Sequence, residues 1–111
     1  YEMCEGSGCT IYIDSSSVPL LSVAQEYAAM GLVPANAYRN RKNLEGKVQI
    51  AASVSESLTD LLYDPQTSGG LLYAVEAKQV DRILEDLKKV VPEAAVIGYT
   101  DTLSDCPISV F

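Results

Sequence analysis

Apolar and polar positions alternate over residues 8–13, where Cys9, Ile11 and Ile13 face one way and Thr10 and Tyr12 the other. A period of two is that of a strand with one covered face. Asp14 to Ser17 is a polar break. Ser17 is placed to cap a helix, with Pro19 in the first turn, where a missing N–H loses no partner. Leu20, Leu21, Ala24, Tyr27 and Ala28 recur at helical spacing, and Gly31 is placed to close that helix. Residues 32–46 follow neither period and carry Pro34, three asparagines and Gly46, which predicts an irregular connection. Residues 47–52 suit a short strand. Ser53 and Glu56 stand at capping-box spacing, predicting a helix to about Tyr63 with Leu58, Leu61 and Leu62 inward.

Gly70 to Val75 is nearly all apolar, the pattern of a strand covered on both faces. Residues 78–91 read as the clearest helix: Val80, Ile83, Leu84, Leu87, Val90 and Val91 form one stripe, and Pro92 ends it. Ala94 to Thr100 reads as a strand. Pro107 to Phe111 reads as a last one at a sheet edge, where proline is tolerated. The order β-α-loop-β-α-β-α-β-β predicts an α+β domain, a mixed sheet with helices layered on it.

At 111 residues the chain is expected to be one domain, 1–111. Such a length buries roughly 60–70 % of its unfolded surface. Fifteen acidic against eight basic residues give a net charge of −7, which argues against a nucleic-acid partner. No apolar run approaches the ~20 residues of a membrane span, and no leader pattern is visible. Histidine is absent, so the chain holds no imidazole base and no Ser-His-Asp or Cys-His arrangement. Cys4, Cys9 and Cys106 form neither a disulfide framework nor a zinc pattern. Reduced thiols and a cytoplasmic setting are expected. The chain opens on Tyr1 without an initiator Met, which suggests a piece of a longer protein.

The chemistry concentrates in Asp64-Pro65-Gln66-Thr67-Ser68-Gly69-Gly70-Leu71-Leu72. Gln66, Thr67 and Ser68 supply amide and hydroxyl groups. Gly69 and Gly70 permit close backbone approach, so the loop suits an anion such as phosphate held in a backbone nest. The plainer alternative is a turn before a strand. Nothing beside Thr67 or Ser68 would activate a nucleophile, and Asp64 before proline is more commonly a brace than a catalyst. A second cluster is Arg39-Asn40-Arg41-Lys42. It is either a solvated loop or a set of anion contacts from Arg39, Asn40 and Arg41, since guanidinium suits a phosphate oxygen. The carboxylates show no metal-ligand spacing, so no metal site and no catalytic residue is expected here.

The 64–72 string closely resembles the signature near the C-terminus of the selenophosphate synthetase (selenide, water dikinase) family. Glu2-Met3-Cys4-Glu5-Gly6-Ser7-Gly8 is similar to that family's segment after its central glycine-rich motif. Val33-Pro34-Ala35-Asn36-Ala37-Tyr38-Arg39-Asn40 resembles its Pro-Gly-rich loop, with Asn36 in place of the commoner glycine. The resemblance implies the C-terminal domain of the aminoimidazole-ribonucleotide-synthetase-like ATP-dependent superfamily, partly ferredoxin-like in fold. It implies an enzyme taking ATP, selenide and water to selenophosphate, AMP and phosphate, with Mg²⁺ and ATP as cofactors of the full-length homodimer. The essential Cys or selenocysteine, the catalytic Lys and most metal-binding aspartates would lie in an N-terminal ATP-binding domain, none of whose motifs is present. The fragment alone would then be inactive and hold no cofactor, with Asp64, Gln66, Thr67, Ser68, Gly69 and Gly70 walling a cleft. The alternatives are a free-standing module for a small anion or a partner, or the C-terminal domain of another superfamily member.

Overall fold

The computed structural model describes residues 1–111. Its centre is a four-stranded sheet made of β1 (Cys9–Ile13), β2 (Val48–Ile50), β3 (Gly98–Thr102) and β4 (Ile108–Val110), in the order β2-β4-β1-β3. β3 runs antiparallel to β1, whereas β4 is parallel to both β1 and β2. The sheet is therefore mixed, as expected. β1 and β2 form a split crossover with β4 between them, and β4 runs parallel to both, unlike the antiparallel inserted strand of a ferredoxin-like unit.

The register sorts the side chains. Ile11 lies beside Ile108 and Ile13 beside Val110, and these lie beside Val48 and Ile50, so one face is a continuous aliphatic patch. The other face pairs Tyr12 with Tyr99, rings stacked at 4.9 Å, next to Ser109 and Gln49. Gly98 sits opposite Ile13, and a Cβ there would collide with the Tyr12 carbonyl; only glycine lets β3 reach β1.

Five helices accompany the sheet: α1 (Glu2–Ser7), α2 (Ser22–Ala29), α3 (Ala35–Asn43), α4 (Glu56–Leu62) and α5 (Val80–Lys88). α1 packs on β1 and buries Cys4. α2 and α3 both pack on α4, and the residues buried there are the small Ala28, Ala37 and Thr59 together with Asp60. α5 packs chiefly on the 3-10 turn Ala77–Gln79 that precedes it.

Several elements depart from the sequence reading. The 32–46 connection is not irregular: α3 occupies most of it, led in by an extended Pro34. Ser17 does not cap α2. The Asp14 carboxylate takes the Ser16 N–H at 3.0 Å and the hydroxyls of Ser16 and Ser17 at 2.6 and 2.7 Å, winding the three serines into their own 3-10 turn. Pro19 thus precedes the helix rather than opening it. The far end of α2 follows expectation: at Gly31 (φ 78) the chain turns left-handed, its N–H reaching the Ala28 carbonyl and that of Leu32 reaching Tyr27. Ser55, not Ser53, caps α4, its hydroxyl accepting from the Leu58 N–H, because residues 51–54 close a turn of their own.

Gly70 to Val75 forms no strand, and Ala94 to Ile97 lies outside β3, which starts at Gly98. β4 is interior rather than at an edge. Pro107 stands just before it, offering its carbonyl to the Ile11 N–H at 2.9 Å, so the missing proline N–H breaks no ladder bond. The core is thinner than length suggests, with only seven residues buried while Leu71 and Val90 are 81 % and 82 % exposed. No helix is long and apolar enough to cross a membrane.

Thr10 is fully buried and its hydroxyl organises the 104–106 turn. It accepts the Ser104 N–H at 2.8 Å, donates to the Cys106 carbonyl at 3.2 Å and lies 3.0 Å from the Ser104 hydroxyl. Thr10→Val keeps the shape and orphans these groups. It should lower unfolding stability by about 1–3 kcal/mol in urea titrations. The hydroxyls of Ser16 and Ser17 hold the Asp14 carboxyl below the ordinary carboxylate range. Its stabilising contribution is therefore present above the unfolded-state value near 4 and fades as pH falls through the lower folded value. Asp14→Asn should flatten that acid limb in stability-against-pH curves.

Candidate functional site

The two sequence-predicted clusters approach each other only at their near ends, where Asn40 on α3 and Asp64 after α4 line one cleft. Helical spacing turns successive side chains of α3 in different directions, and the basic cluster divides accordingly. Arg39 donates to the Asn36 amide oxygen on its own helix at 3.2 Å. The Arg41 guanidinium reaches across to α4, with Nη1 3.0 Å from Glu56 Oε1 and 3.6 Å from Asp60 Oδ1. Asn40 Nδ2 donates to the Tyr63 carbonyl at 2.9 Å, at the C-terminal end of α4. The hydrogen bond to Glu56 raises the Arg41 guanidinium above its usual value and keeps it charged. Burial pushes the Tyr63 phenol up, and the charge of Arg41 offsets part of that.

α4 runs directly into the glycine loop. Asp64 N–H donates back to the Leu61 carbonyl at 3.1 Å and Gln66 N–H to the Asp64 carbonyl at 2.9 Å. From Thr67 to Val75 no backbone N–H donates to a carbonyl of the chain. Pro65 to Gly70 are all exposed. Within this stretch Ser68 is left-handed at φ 58, the one non-glycine residue of the chain in that region. At Gly69 the Gln66 side chain lies against the backbone, and an added Cβ would crowd it, 2.8 Å from its Oε1 and 3.0 Å from its Cβ. At Gly70 the same atom would meet nothing within 4 Å.

Two open clefts flank the joint between α3 and α4. One, of about 640 Å³, includes Tyr38, Arg41, Val48, Ile50, Thr59 and Tyr63 in its wall. The other, of about 530 Å³, is lined by Asn40, Tyr63 and Asp64 together with Tyr1 and Met3. The fold therefore brings Asn40 to Asp64, sends Arg41 to the other cleft, and leaves Gln66, Thr67, Ser68, Gly69 and Gly70 on the open surface beyond both. Tyr63, Glu56 and Asp60 join the site through partners 15 to 23 positions away. Sequence spacing carries no signal for such pairs. No three His, Cys, Asp or Glu side chains gather into a group that could hold a metal ion. The arrangement offers exposed backbone donors and hydroxyls of the kind that suits an anion, and no base or nucleophile beside them.

Residues 1–103 match the family model described as AIR synthase related protein, C-terminal domain. The chain belongs to this family. The AIR synthase related domain has relatives named selenide, water dikinase. One from Clostridium botulinum (strain Eklund 17B / Type B) is 42 % identical over 108 residues, covering 97 % of this chain and 31 % of the relative. One from Caldanaerobacter subterraneus subsp. tengcongensis is 45 % identical over 97 residues, covering 87 % of this chain and 28 % of the relative. A selenide, water dikinase 2 from Peptoclostridium acidaminophilum is 51 % identical over 74 residues, 67 % of this chain and 21 % of the relative. The chain thus spans about a third or less of the length of the relatives it matches. The fold class and family expected from the sequence are both met in this AIR synthase related domain.

Arg41→Met removes the one cation facing Asp60, whose side chain is 11 % exposed. Because Arg41 itself is half-exposed, the loss should be about 1 kcal/mol and should shrink in high salt. Chemical denaturation at low and high ionic strength measures it. An equal loss at both would mean that packing, not charge, is what Arg41 supplies.

Proposed function

We propose that this AIR synthase related domain is the C-terminal part of an ATP-dependent selenophosphate synthetase. There the Asp64–Gly70 loop would face the phosphoryl-transfer cleft. The observation that carries the reading is the row of unpaired N–H donors following Gln66, set around the left-handed Ser68. Strained, donor-rich backbone of this kind receives anions and clusters at functional sites. The matched relatives are named for selenide, water and phosphoryl transfer; the proposed reaction takes ATP as the donor and gives selenophosphate, AMP and phosphate. Thr67, Ser68 and the neighbouring amides fit the phosphate end of ATP. Mg²⁺, when bound, would neutralise phosphate charge. Its ligands and the reacting groups would come from an N-terminal ATP-binding domain, and the complete protein would act as a homodimer. Three free thiols agree with a cytoplasmic setting.

In this reading the chain's own residues bind and orient. Gln66 and Asp64 shape the turn, Gly69 admits the Gln66 side chain against the backbone, and Gly70 leaves the approach to the loop clear. The test is selenide-dependent AMP formation by the complete protein carrying Thr67→Ala, Ser68→Ala or Gly70→Ala singly. Each should lower the rate about tenfold or more, as misplacing a bound phosphate does, with the melting temperature unchanged. Gly70→Ala is the sharpest of the three, because the added methyl meets nothing in the domain itself. Wild-type rates in all three would return the loop to a structural role. The 111-residue domain alone should form no AMP.

A further inference from the structure

Asn40 stands in the basic cluster that invites an anion-contact role, yet its amide is already committed. It spans 23 positions to donate to the Tyr63 carbonyl at 2.9 Å. Tyr63 is the C-cap of α4, and carbonyls at a helix end lack an intrahelical partner. One residue later the chain turns on the Asp64 N–H bond to Leu61 and enters the glycine loop. Asn40 is half-buried, and its bond is the one side-chain tie that the structure shows at this take-off point. Arg41, its neighbour, ties the same pair of helices through Glu56 at the opposite end of α4 and lies 3.6 Å from Asp60 in its last turn. The two ties therefore hold α4 at both ends and define the direction in which residues 64–70 leave it.

We infer that Asn40 is a positioning residue: through the Tyr63 carbonyl it aims the Asp64–Gly70 loop at the reacting phosphates, without touching them. This rests on the reading of the loop as one wall of the phosphoryl-transfer cleft. A donor amide is required, and its hydrogens must reach back over the end of α4. Asn40→Asp keeps the shape but places a carboxylate against the carbonyl. Asn40→Gln keeps the donor on a stem one methylene longer.

Both variants are made in the complete protein and read in two ways. Amide exchange reports on Asp64 and Gln66; steady-state selenide-dependent AMP formation reports kcat and the KM for ATP. In Asn40→Asp, exchange at Asp64 and Gln66 should quicken about fivefold to tenfold, the effect of one lost hydrogen bond. The kcat should fall about tenfold or more, with the KM for ATP held within about twofold. Asn40→Gln should recover most of both. Unchanged exchange in Asn40→Asp would overturn the inference and leave the reading of the loop standing. Faster exchange with unchanged kcat would overturn the reading of the loop, and the inferred role with it. A raised KM for ATP with unchanged exchange would make Asn40 a direct anion contact and overturn the inference.

Discussion

The parallel insertion of β4 between β1 and β2 is the constraint on which the rest of this domain depends. Neither β1 nor β2 is long, and they do not pair with each other. β4, five residues or fewer from the C-terminal end of the chain, supplies the hydrogen bonds that make them one sheet and the side chains Ile108 and Val110 that make their aliphatic faces continuous. Its approach is set by the buried Thr10 hydroxyl, which gathers Ser104 and Cys106 just before the strand begins. A polar group thus governs an apolar assembly. A buried hydroxyl without partners is costly, so the turn that satisfies it becomes the one the chain adopts.

Once β1 and β2 are held a strand apart, α2 and α3 carry the chain between them and pack on α4, which follows β2. The contacts between these helices are small: alanines at 28 and 37 and threonine at 59. Small residues bring helices close while burying little apolar area, so packing alone fixes their relative placement weakly. The polar ties at the α3–α4 joint compensate. They also account for the fate of the basic cluster. In a chain of net charge −7, Arg41 finds carboxylates within its own domain before it finds a ligand. Under the proposed function, anion recognition would fall to the loop's backbone amides, which donate to no carbonyl of the chain after Gln66.

Local features were legible in the sequence where the physics is local. The alternation of β1 and the left-handed close of α2 at Gly31 both follow from a few adjacent residues. The close approach at Gly69 was legible for the same reason, whereas the left-handed residue of the loop is Ser68, which no glycine signal marks. α3 was not: it is rich in Asn, Arg and Lys, its apolar stripe is reduced to Ala37, and tertiary contact with α4 overrides weak propensity. The interior position of β4 was hidden because a proline beside a strand reads as an edge signal, whereas Pro107 lies just outside the ladder. The Asn40–Tyr63 tie, between residues 23 apart, had no sequence signature at all.

The apolar run from Leu71 to Val75 marks the boundary between what a sequence period specifies and what a fold realises. Its composition is that of a doubly covered strand, yet strand formation requires a neighbour with free backbone groups, and none pairs with it. α5 carries the same contradiction, a nine-residue helix with a clear apolar stripe that packs chiefly on its own preceding turn. A helix of that length does not persist in water by propensity alone. Both elements carry sequence patterns made for burial, yet Leu71 to Val75 are exposed and the α5 stripe is only partly covered, in a domain that spans about a third or less of the length of its relatives. The Leu71 run also adjoins the glycine loop directly, following it in the chain. The apolar side chains next to the proposed phosphate wall, Leu71 to Val75, are therefore left uncovered within this domain. Under the proposed function a two-domain cleft would account for that coincidence, because a wall closing over ATP would have to exclude water along the same edge where it presents its donors.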